Sequence, residues 1–138
     1  MKKLNEIQQT LKAPKNQVNR FGNYKYRSCE DILEAVKPLL GEAVLTINDE
    51  IVLIGDRYYV KATATIKEGE EKASVSAYAR EGLMKKGMDE SQITGSSSSY
   101  ARKYALNGLF LIDDTKDADT KDNTEKSEPK PVNDISSL

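Results

Sequence analysis

An alternation of apolar and polar residues with a period of two runs through the middle of the chain, from Ala43 to Arg80. β-Branched and aromatic residues dominate this segment, which is typical of strands whose two faces meet different environments. Short polar or glycine-containing steps interrupt the alternation and indicate tight turns. We therefore predict an antiparallel meander with strands over approximately 43–47, 51–54, 57–67 and 72–80 and turns at 48–49, 55–56 and 68–70.

The third predicted strand separates its side chains most clearly into two faces. Its apolar positions are Tyr58, Val60, Ala62, Ala64 and Ile66, and its polar positions are Arg57, Tyr59, Lys61, Thr63, Thr65 and Lys67. The fourth strand alternates in the same way. One face of the sheet is thus expected to be apolar and covered by helices, and the other to be polar with a basic bias.

Helical spacing of apolar residues occurs on both sides of this segment. A first short helix is predicted from Leu4, Ile7 and Leu11 and ends before Pro14. A second begins at a capping-box signature formed by Ser28 and Asp31, and its apolar face consists of Ile32, Val36, Leu39 and Leu40. A third is predicted to start at 94–97 and to reach 107–108, with a packing stripe of Ala101, Ala105 and Leu109. The expected fold is α+β, an antiparallel three- to four-stranded meander packed on one face by helices.

The charge distribution divides the chain after Ile112. The 138 residues carry a formal net charge of -1, but residues 113–138 contain eight acidic and four basic side chains and no aromatic residue. Such a composition predicts a disordered acidic tail. Residues 1–112 hold the other 17 basic and 14 acidic side chains, a net charge of +3. We expect them to form one domain that binds an anionic partner.

Two scarce residue types narrow the possible chemistry. The chain has no histidine, which excludes triads with a histidine base and imidazole zinc sites, and its one cysteine excludes an internal disulfide. No apolar run of signal-peptide or membrane-spanning length is present. We therefore expect a soluble intracellular protein that needs no metal or other cofactor.

The first candidate site is the segment NRFGNYKYRS at 19–28, in which Arg20, Lys25 and Arg27 alternate with Phe21, Tyr24 and Tyr26. Aromatic rings stack on unpaired bases while cationic groups neutralise phosphates, so this mixture suits single-stranded nucleic acid. An ordinary basic loop whose tyrosines pack on the core explains the segment equally well.

The second candidate site is GSSSSYARKY at 95–104, in which Ser96, Ser97, Ser98 and Ser99 precede Tyr100, Arg102 and Lys103. At the start of a helix, serine hydroxyls and free backbone amides form an anion site. Simple capping would need one serine rather than four, so phosphate contact is favoured. The GxxxxGK[ST] pattern of a P-loop is absent.

The polar sheet face, with Arg57, Lys61, Lys67 and Arg80, is the third candidate. Most such faces are only solvated. This one becomes the floor of a binding groove if the serine-rich helix and the Tyr24 segment border it.

Catalytic arrangements are weakly supported. Ser97 and Ser98 have no histidine base, and Cys29 is best interpreted as a small buried thiol. The acidic residues Asp113, Asp114 and Asp117 suggest a metal-dependent nuclease as an alternative, although a solvated linker accounts for them better.

The two blocks YKYRSCEDILEAVKPLL and QITGSSSSYARKYALNGLFLIDD together resemble the Erf family of phage single-strand annealing proteins, including its Sak-like recombinases. The resemblance covers roughly residues 1–119 and leaves the acidic tail outside. It implies a β-β-β-α core with a positively charged groove, ATP-independent annealing of complementary strands, and assembly into rings or helical filaments. By position, it assigns DNA binding to Tyr24, Lys25, Tyr26, Arg27, the four serines, Tyr100, Arg102 and Lys103.

The resemblance also defines the expected partners and location. The partners are single-stranded DNA, the annealed duplex intermediate and further copies of the chain, with a host or phage single-strand-binding protein or an exonuclease as additional candidates. The expected location is the cytoplasm of a bacterial host, with a phage or prophage origin. A protein that coats and protects single strands without annealing them remains an alternative.

Overall fold

The order of helices and strands gives an α+β fold, as predicted. A computed structural model describes residues 1–83 and 88–112. In chain order the elements are α1 (Lys2–Thr10), β1 (Gln17–Asn19), β2 (Tyr24–Tyr26), α2 (Cys29–Val36) with a short 3-10 helix (Lys37–Leu39), β3 (Val44–Ile54), β4 (Arg57–Glu68), β5 (Glu71–Arg80) and α3 (Glu90–Phe110). The predicted acidic tail, 113–138, lies outside the described residues.

The main sheet is antiparallel, with strand order β3-β4-β5. The predicted turn at 48–49 was wrong, because β3 continues through it and Asn48 and Asp49 pair with Thr63 and Ala62 of β4. Neither residue takes a positive φ, and the 12-residue β4 supplies a partner along the whole of β3. The predicted turn at 55–56 is confirmed, and Gly55 there has a φ of +64°.

The two faces of the sheet are divided as predicted. Along β4, Val60, Ala62, Ala64 and Ile66 are all buried, and they form one core with residues of the three helices. The small residues of α3 allow it to lie close to this face: a Cβ added at Gly108 would stand 2.9 Å from Cγ1 of Val75. On the opposite face, hydroxyl pairs join β4 to β5, with 2.7 Å between Thr63 and Ser76 and 2.7 Å between Thr65 and Ser74.

The first two predicted helices are present in the structure. Ile7 of α1 is buried, and so are Ile32 and Val36 of α2. The capping box is present: the Ser28 hydroxyl accepts from the amide of Asp31 at 3.1 Å, and the Asp31 carboxylate accepts from the amide of Ser28 at 2.8 Å.

Helix α3 begins earlier than the sequence suggested. Its N-cap is Asp89, whose carboxylate accepts from the amide of Gln92 at 2.9 Å, while the Gln92 side chain accepts from the amide of Asp89 at 2.9 Å. Ser96 to Ser99 therefore lie inside the helix, where backbone amides already donate to carbonyls one turn earlier. The interpretation of these serines as a helix N-terminal anion site was wrong.

A two-stranded hairpin, β1-β2, forms where the sequence suggested only a basic loop. Val18 pairs with Lys25, and Asn19 pairs with Tyr24. Strands of three residues are too short to show the alternation of apolar and polar side chains that indicates a strand, so the sequence did not predict this hairpin. None of the helices in the described part of the chain has the length and apolar character that crossing a bilayer requires.

Candidate nucleic-acid interface

Five of the seven tyrosines lie along a path from the β1-β2 hairpin, over α3, to the end of β5, and they are linked by two ring pairs, by Lys103 and by a shared cavity. We call this set the tyrosine row; its members are Tyr24, Tyr26, Tyr104, Tyr100 and Tyr78. The rings of Tyr24 and Tyr26 meet edge to face with 6.2 Å between centroids. Those of Tyr100 and Tyr104, one helical turn apart, are stacked at 6.4 Å with 21° between their planes. Aromatic faces from three separate elements are thus brought together.

Lys103 connects the hairpin to α3 within this row. Its Nζ atom lies 5.5 Å from the ring centroid of Tyr26 and 6.0 Å from that of Tyr104, which is cation-π distance. Lys103 is buried, so its ammonium lies against these rings rather than extending into solvent. Burial raises the pKa of Tyr26, and the nearby Tyr100, Tyr24 and Asp31 raise it further, so its phenol remains protonated and able to donate.

The far end of the tyrosine row opens into a cavity of about 470 Å³ between the end of β5 and the first half of α3. This volume lies within the range of small-ligand sites. Its lining combines cations, aromatic rings, hydroxyls and small groups: Arg57, Arg80, Tyr78, Tyr100, Tyr104, Ser96, Ser97, Ala79, Gly82 and Ile93. Such a lining can hold a planar ring by stacking and an anionic group by charge.

Arg57 is the most firmly held of the cavity cations. Its Nη2 donates to the carbonyl of Glu81 at 3.1 Å, and its Nε is buried without a hydrogen-bond partner among the described residues. Ser97 donates its hydroxyl to the carbonyl of Arg80 at 3.4 Å, which ties α3 to the end of β5. The Arg80 side chain is exposed at the rim.

Two residues predicted to contact phosphate are instead engaged with a carboxylate. Arg102 Nε donates to Asp49 at 3.0 and 3.2 Å, and the hydroxyl of Ser98 donates to the same carboxylate. Arg102 is therefore largely neutralised within the fold.

The remaining predicted site residues are dispersed. Arg27 is buried and donates from Nε to the carbonyl of Ala13 at 3.0 Å, whereas Arg20 and Lys25 are exposed on the hairpin. Lys61 lies 5.8 Å from the ring centroid of Tyr78, its cross-strand partner, and approaches the cavity only through that ring.

The binding groove predicted on the polar face of the sheet is not formed. Helix α3 packs on the apolar face with Ala62 and Ala64, so the serine-rich helix does not border the face that carries Lys61 and Lys67. Sheet cations and α3 do meet at the end of β5, in the cavity lined by Arg57 and Arg80.

Sequence reasoning missed Tyr104 and Tyr78 as site residues. Tyr100 and Tyr104 are four residues apart, and this spacing alone places both side chains on one face of the helix. Tyr78 alternates with serines on the polar face, and nothing in its local sequence indicates that it meets α3.

Acidic side chains and the one cysteine were the remaining candidates for metal or thiol chemistry. Across residues 1–83 and 88–112 no three acidic or cysteine side chains are grouped to hold a metal ion. The residues of the nuclease alternative, Asp113, Asp114 and Asp117, fall outside the described residues. Cys29 is buried, as predicted, and burial raises the pKa of its thiol.

Comparison with known proteins agrees with the sequence resemblance and extends it. The Essential recombination function protein of Salmonella phage P22 is 66% identical over 130 residues, which cover 94% of this chain and 63% of that protein. The chain thus spans less than two thirds of its relative's length. No solved structure matches significantly. The family match runs past residue 119 into the acidic segment, so the expectation that this segment lies outside the resemblance was wrong. With residues 1–136 matching the model of the ERF superfamily, the chain belongs to that superfamily.

Proposed function

We propose that this protein acts in phage recombination by binding single-stranded DNA and annealing complementary strands without ATP. The tyrosine row is the observation that carries the proposal, because it offers stacking surfaces for several successive bases beside cationic groups. The membership in the ERF superfamily and the name of the phage P22 relative support a role in recombination.

The chemistry of annealing fits these groups. Stacking on an aromatic side chain contributes roughly 1–3 kcal/mol per base and tolerates any sequence, since every base has a π-face. Arginine neutralises phosphates and so lowers the repulsion between two strands that approach each other. Arg57 and Arg80 supply this charge beside Tyr78 and Tyr100. Pairing then needs no hydrolysis, because base pairing itself provides the driving force.

We further propose that residues 1–112 are the DNA-binding unit and that several copies act side by side in a ring or filament. In the described part of the chain, β3 and β5 are the edges of the sheet, with 11 and 10 residues available for pairing with another copy. Unpaired strand edges are common sites of self-association.

The test is an annealing assay with two complementary oligonucleotides that carry a donor and an acceptor fluorophore. Purified protein without ATP is expected to accelerate the rise in energy transfer, and anisotropy should report binding to either strand alone. Binding without faster annealing would contradict the annealing proposal and favour a single-strand protector. Shortening of the oligonucleotides in magnesium or manganese would contradict it in favour of a nuclease.

A matched pair of variants locates the activity. Arg80→Ala removes an exposed cation at the cavity rim, whereas Lys72→Ala removes one from the same strand, eight residues or about 26 Å away. We expect Arg80→Ala to weaken binding and to lower the salt slope by about 0.7, the effect of one lost phosphate contact on a single strand. Lys72→Ala should behave like the parent protein. Equal effects of both variants would show that only overall charge matters.

A further inference from the structure

Phe21 stands fully outside the folded body, at the tip of the β1-β2 hairpin. Its side chain is 103% exposed relative to the reference state, the highest value among the large apolar residues that the structure describes. Full exposure forgoes the stabilisation that burial of a phenylalanine side chain provides. A single exposed apolar side chain is common, and the way its backbone is held is what distinguishes this one.

The turn that carries Phe21 is held by three hydrogen bonds of the Asn19 side chain and by the ring of Tyr24. The Asn19 side-chain oxygen accepts from the amides of Phe21 and Gly22, both at 2.9 Å, and its amide nitrogen donates to the hydroxyl of Tyr24 at 3.1 Å. The ring of Tyr24 lies so close to the turn that a Cβ at Gly22 would overlap Cε2 of that ring. A side chain at position 22 would force this ring to shift, and the tip that presents Phe21 is thus braced by the first member of the tyrosine row.

The segment that carries the tip holds positive charge only, and the carboxylate of Asp31 lies at the other end of the hairpin, where Asn16 and Gln17 donate to it. From residue 7 to residue 29 the chain contains no aspartate or glutamate but has five basic residues: Lys12, Lys15, Arg20, Lys25 and Arg27. Arg20 precedes Phe21 directly and is exposed, as is Lys25 on β2. A second copy presenting the same hairpin would be repelled, whereas a phosphate backbone would be attracted.

We propose that Phe21 inserts between, or stacks on, the bases of a single strand whose phosphates contact Arg20 and Lys25. The inference rests on the proposed binding of single-stranded DNA and adds a specific stacking residue beyond the tyrosine row. Apolar side chains that enter base steps are known devices for unstacking neighbouring bases. Here the insertion would separate adjacent bases of one strand and hold them apart, while their pairing edges stay open to a second strand.

The absence of tryptophan from the chain permits a direct test. Phe21→Trp introduces a single indole at the tip, and Val44→Trp introduces one at the start of β3, where the native side chain is 57% exposed. Each variant is titrated with a thymidine oligonucleotide while fluorescence anisotropy of a label on the DNA reports binding separately. We expect strong quenching of the indole in Phe21→Trp and little change in Val44→Trp.

An abasic oligonucleotide of equal length separates stacking from charge, because it keeps the phosphates and lacks the bases. It should bind through charge and leave the Phe21→Trp fluorescence nearly unchanged. Bound thymidine oligonucleotide with no quenching in Phe21→Trp would overturn the inference and leave the proposed function standing. Failure of the parent protein to bind any single strand would instead contradict the proposed function itself.

Affinity measurements on two further variants provide a second readout. Phe21→Leu keeps an apolar side chain without an aromatic face, and we expect its dissociation constant for single strands to rise roughly 5- to 100-fold. Phe21→Tyr keeps the face and should bind within about twofold of the parent. If Phe21→Leu instead changes the sedimentation of the DNA-free protein and leaves affinity unaltered, Phe21 contacts another copy of the chain and the inference is wrong.

Discussion

Asp49 on β3 and Arg102 on α3 form an ion pair across 53 positions of sequence, with Arg102 Nε 3.0 Å from one carboxylate oxygen and 3.2 Å from the other. Asp49 faces the helix because its partner on β4, Ala62, points into the core. The hydroxyl of Ser98 donates to the same carboxylate. The carboxylate of Asp49 thus binds Ser98 and Arg102, two residues that the sequence had assigned to phosphate binding.

Asp49→Asn should tighten the binding of single-stranded DNA. The substitution removes the negative charge beside Arg102 and leaves that guanidinium available to a phosphate. We expect the slope of log affinity against log salt to steepen by about 0.7, measured by anisotropy at several salt concentrations. Asp56→Asn, in the exposed turn between β3 and β4, makes the same change in net charge and is the control. Equal slopes in the two variants would show that Arg102 does not reach DNA.

Lys103 and Tyr26 should be energetically coupled. A double-mutant cycle with Lys103→Met and Tyr26→Leu isolates their interaction from the other contacts that each residue makes. We expect a favourable coupling of about 0.5–2 kcal/mol in the free energy of unfolding, the range of cation-π pairs from exposed to desolvated sites. Urea denaturation of the four proteins measures it. A coupling of zero would mean that the hairpin is not held to α3 by this contact.

Stability should decrease in acid through Asp31. Although partial burial acts to raise the pKa of this carboxyl group, hydrogen bonds from the Ser28 amide and from the side chains of Gln17, Ser28 and Asn16 hold it below its ordinary value. Since the folded-state pKa is lower than the unfolded value of about 3.9, the stabilisation is complete above that pH and is lost as the pH falls through the folded-state pKa.

Unfolding curves at a series of pH values test this expectation. The free energy of unfolding should fall below about pH 4, and Asp31→Asn should be less stable near neutral pH and show a shallower acid dependence. Glu34→Gln, on the exposed side of the same helix, is the control and should follow the parent protein. An unchanged acid profile in Asp31→Asn would contradict the assignment.

Two glycines of α3 should respond in opposite directions to alanine. At Gly95 an added Cβ meets nothing within 4 Å, so Gly95→Ala should stabilise the protein by about 0.5–1 kcal/mol through helix propensity. At Gly108 the added Cβ would stand 2.9 Å from Cγ1 of Val75, so overpacking of about 1–3 kcal/mol should exceed that gain. Thermal unfolding of both variants checks the signs, and stabilisation by Gly108→Ala would show that the helix can move away from the sheet.

Features encoded over a few residues could be predicted from the sequence. Ser28 and Asp31 cap α2 through contacts three residues apart, and the alternation around Ala62 and Ala64 identified the buried face of β4. The predicted break at Asn48 failed because pairing with β4 overrode a local turn preference. The start of α3 was misplaced because the serines resembled a cap, whereas Asp89 and Gln92 provide it.

The candidate site was harder to predict, because its members come from distant parts of the chain. Tyr26 and Tyr100 were each identified from short basic-aromatic segments, but the cavity that joins Tyr100 to Tyr78 and Arg57 exists only after α3 has packed on the sheet. The pairing of Arg102 with Asp49 likewise depends on that packing and has no local sequence signal.

The distance between the rings of Tyr100 and Tyr104 can be compared with the spacing of bases in a strand. One turn of α3 places their nearly parallel rings 6.4 Å apart, close to twice the rise of about 3.4 Å between successive nucleotides of a strand. The spacing of these two rings is thus close to two steps of a nucleic-acid strand. If a strand runs along α3 as proposed, a base stacked on one ring would bring its second neighbour level with the other ring.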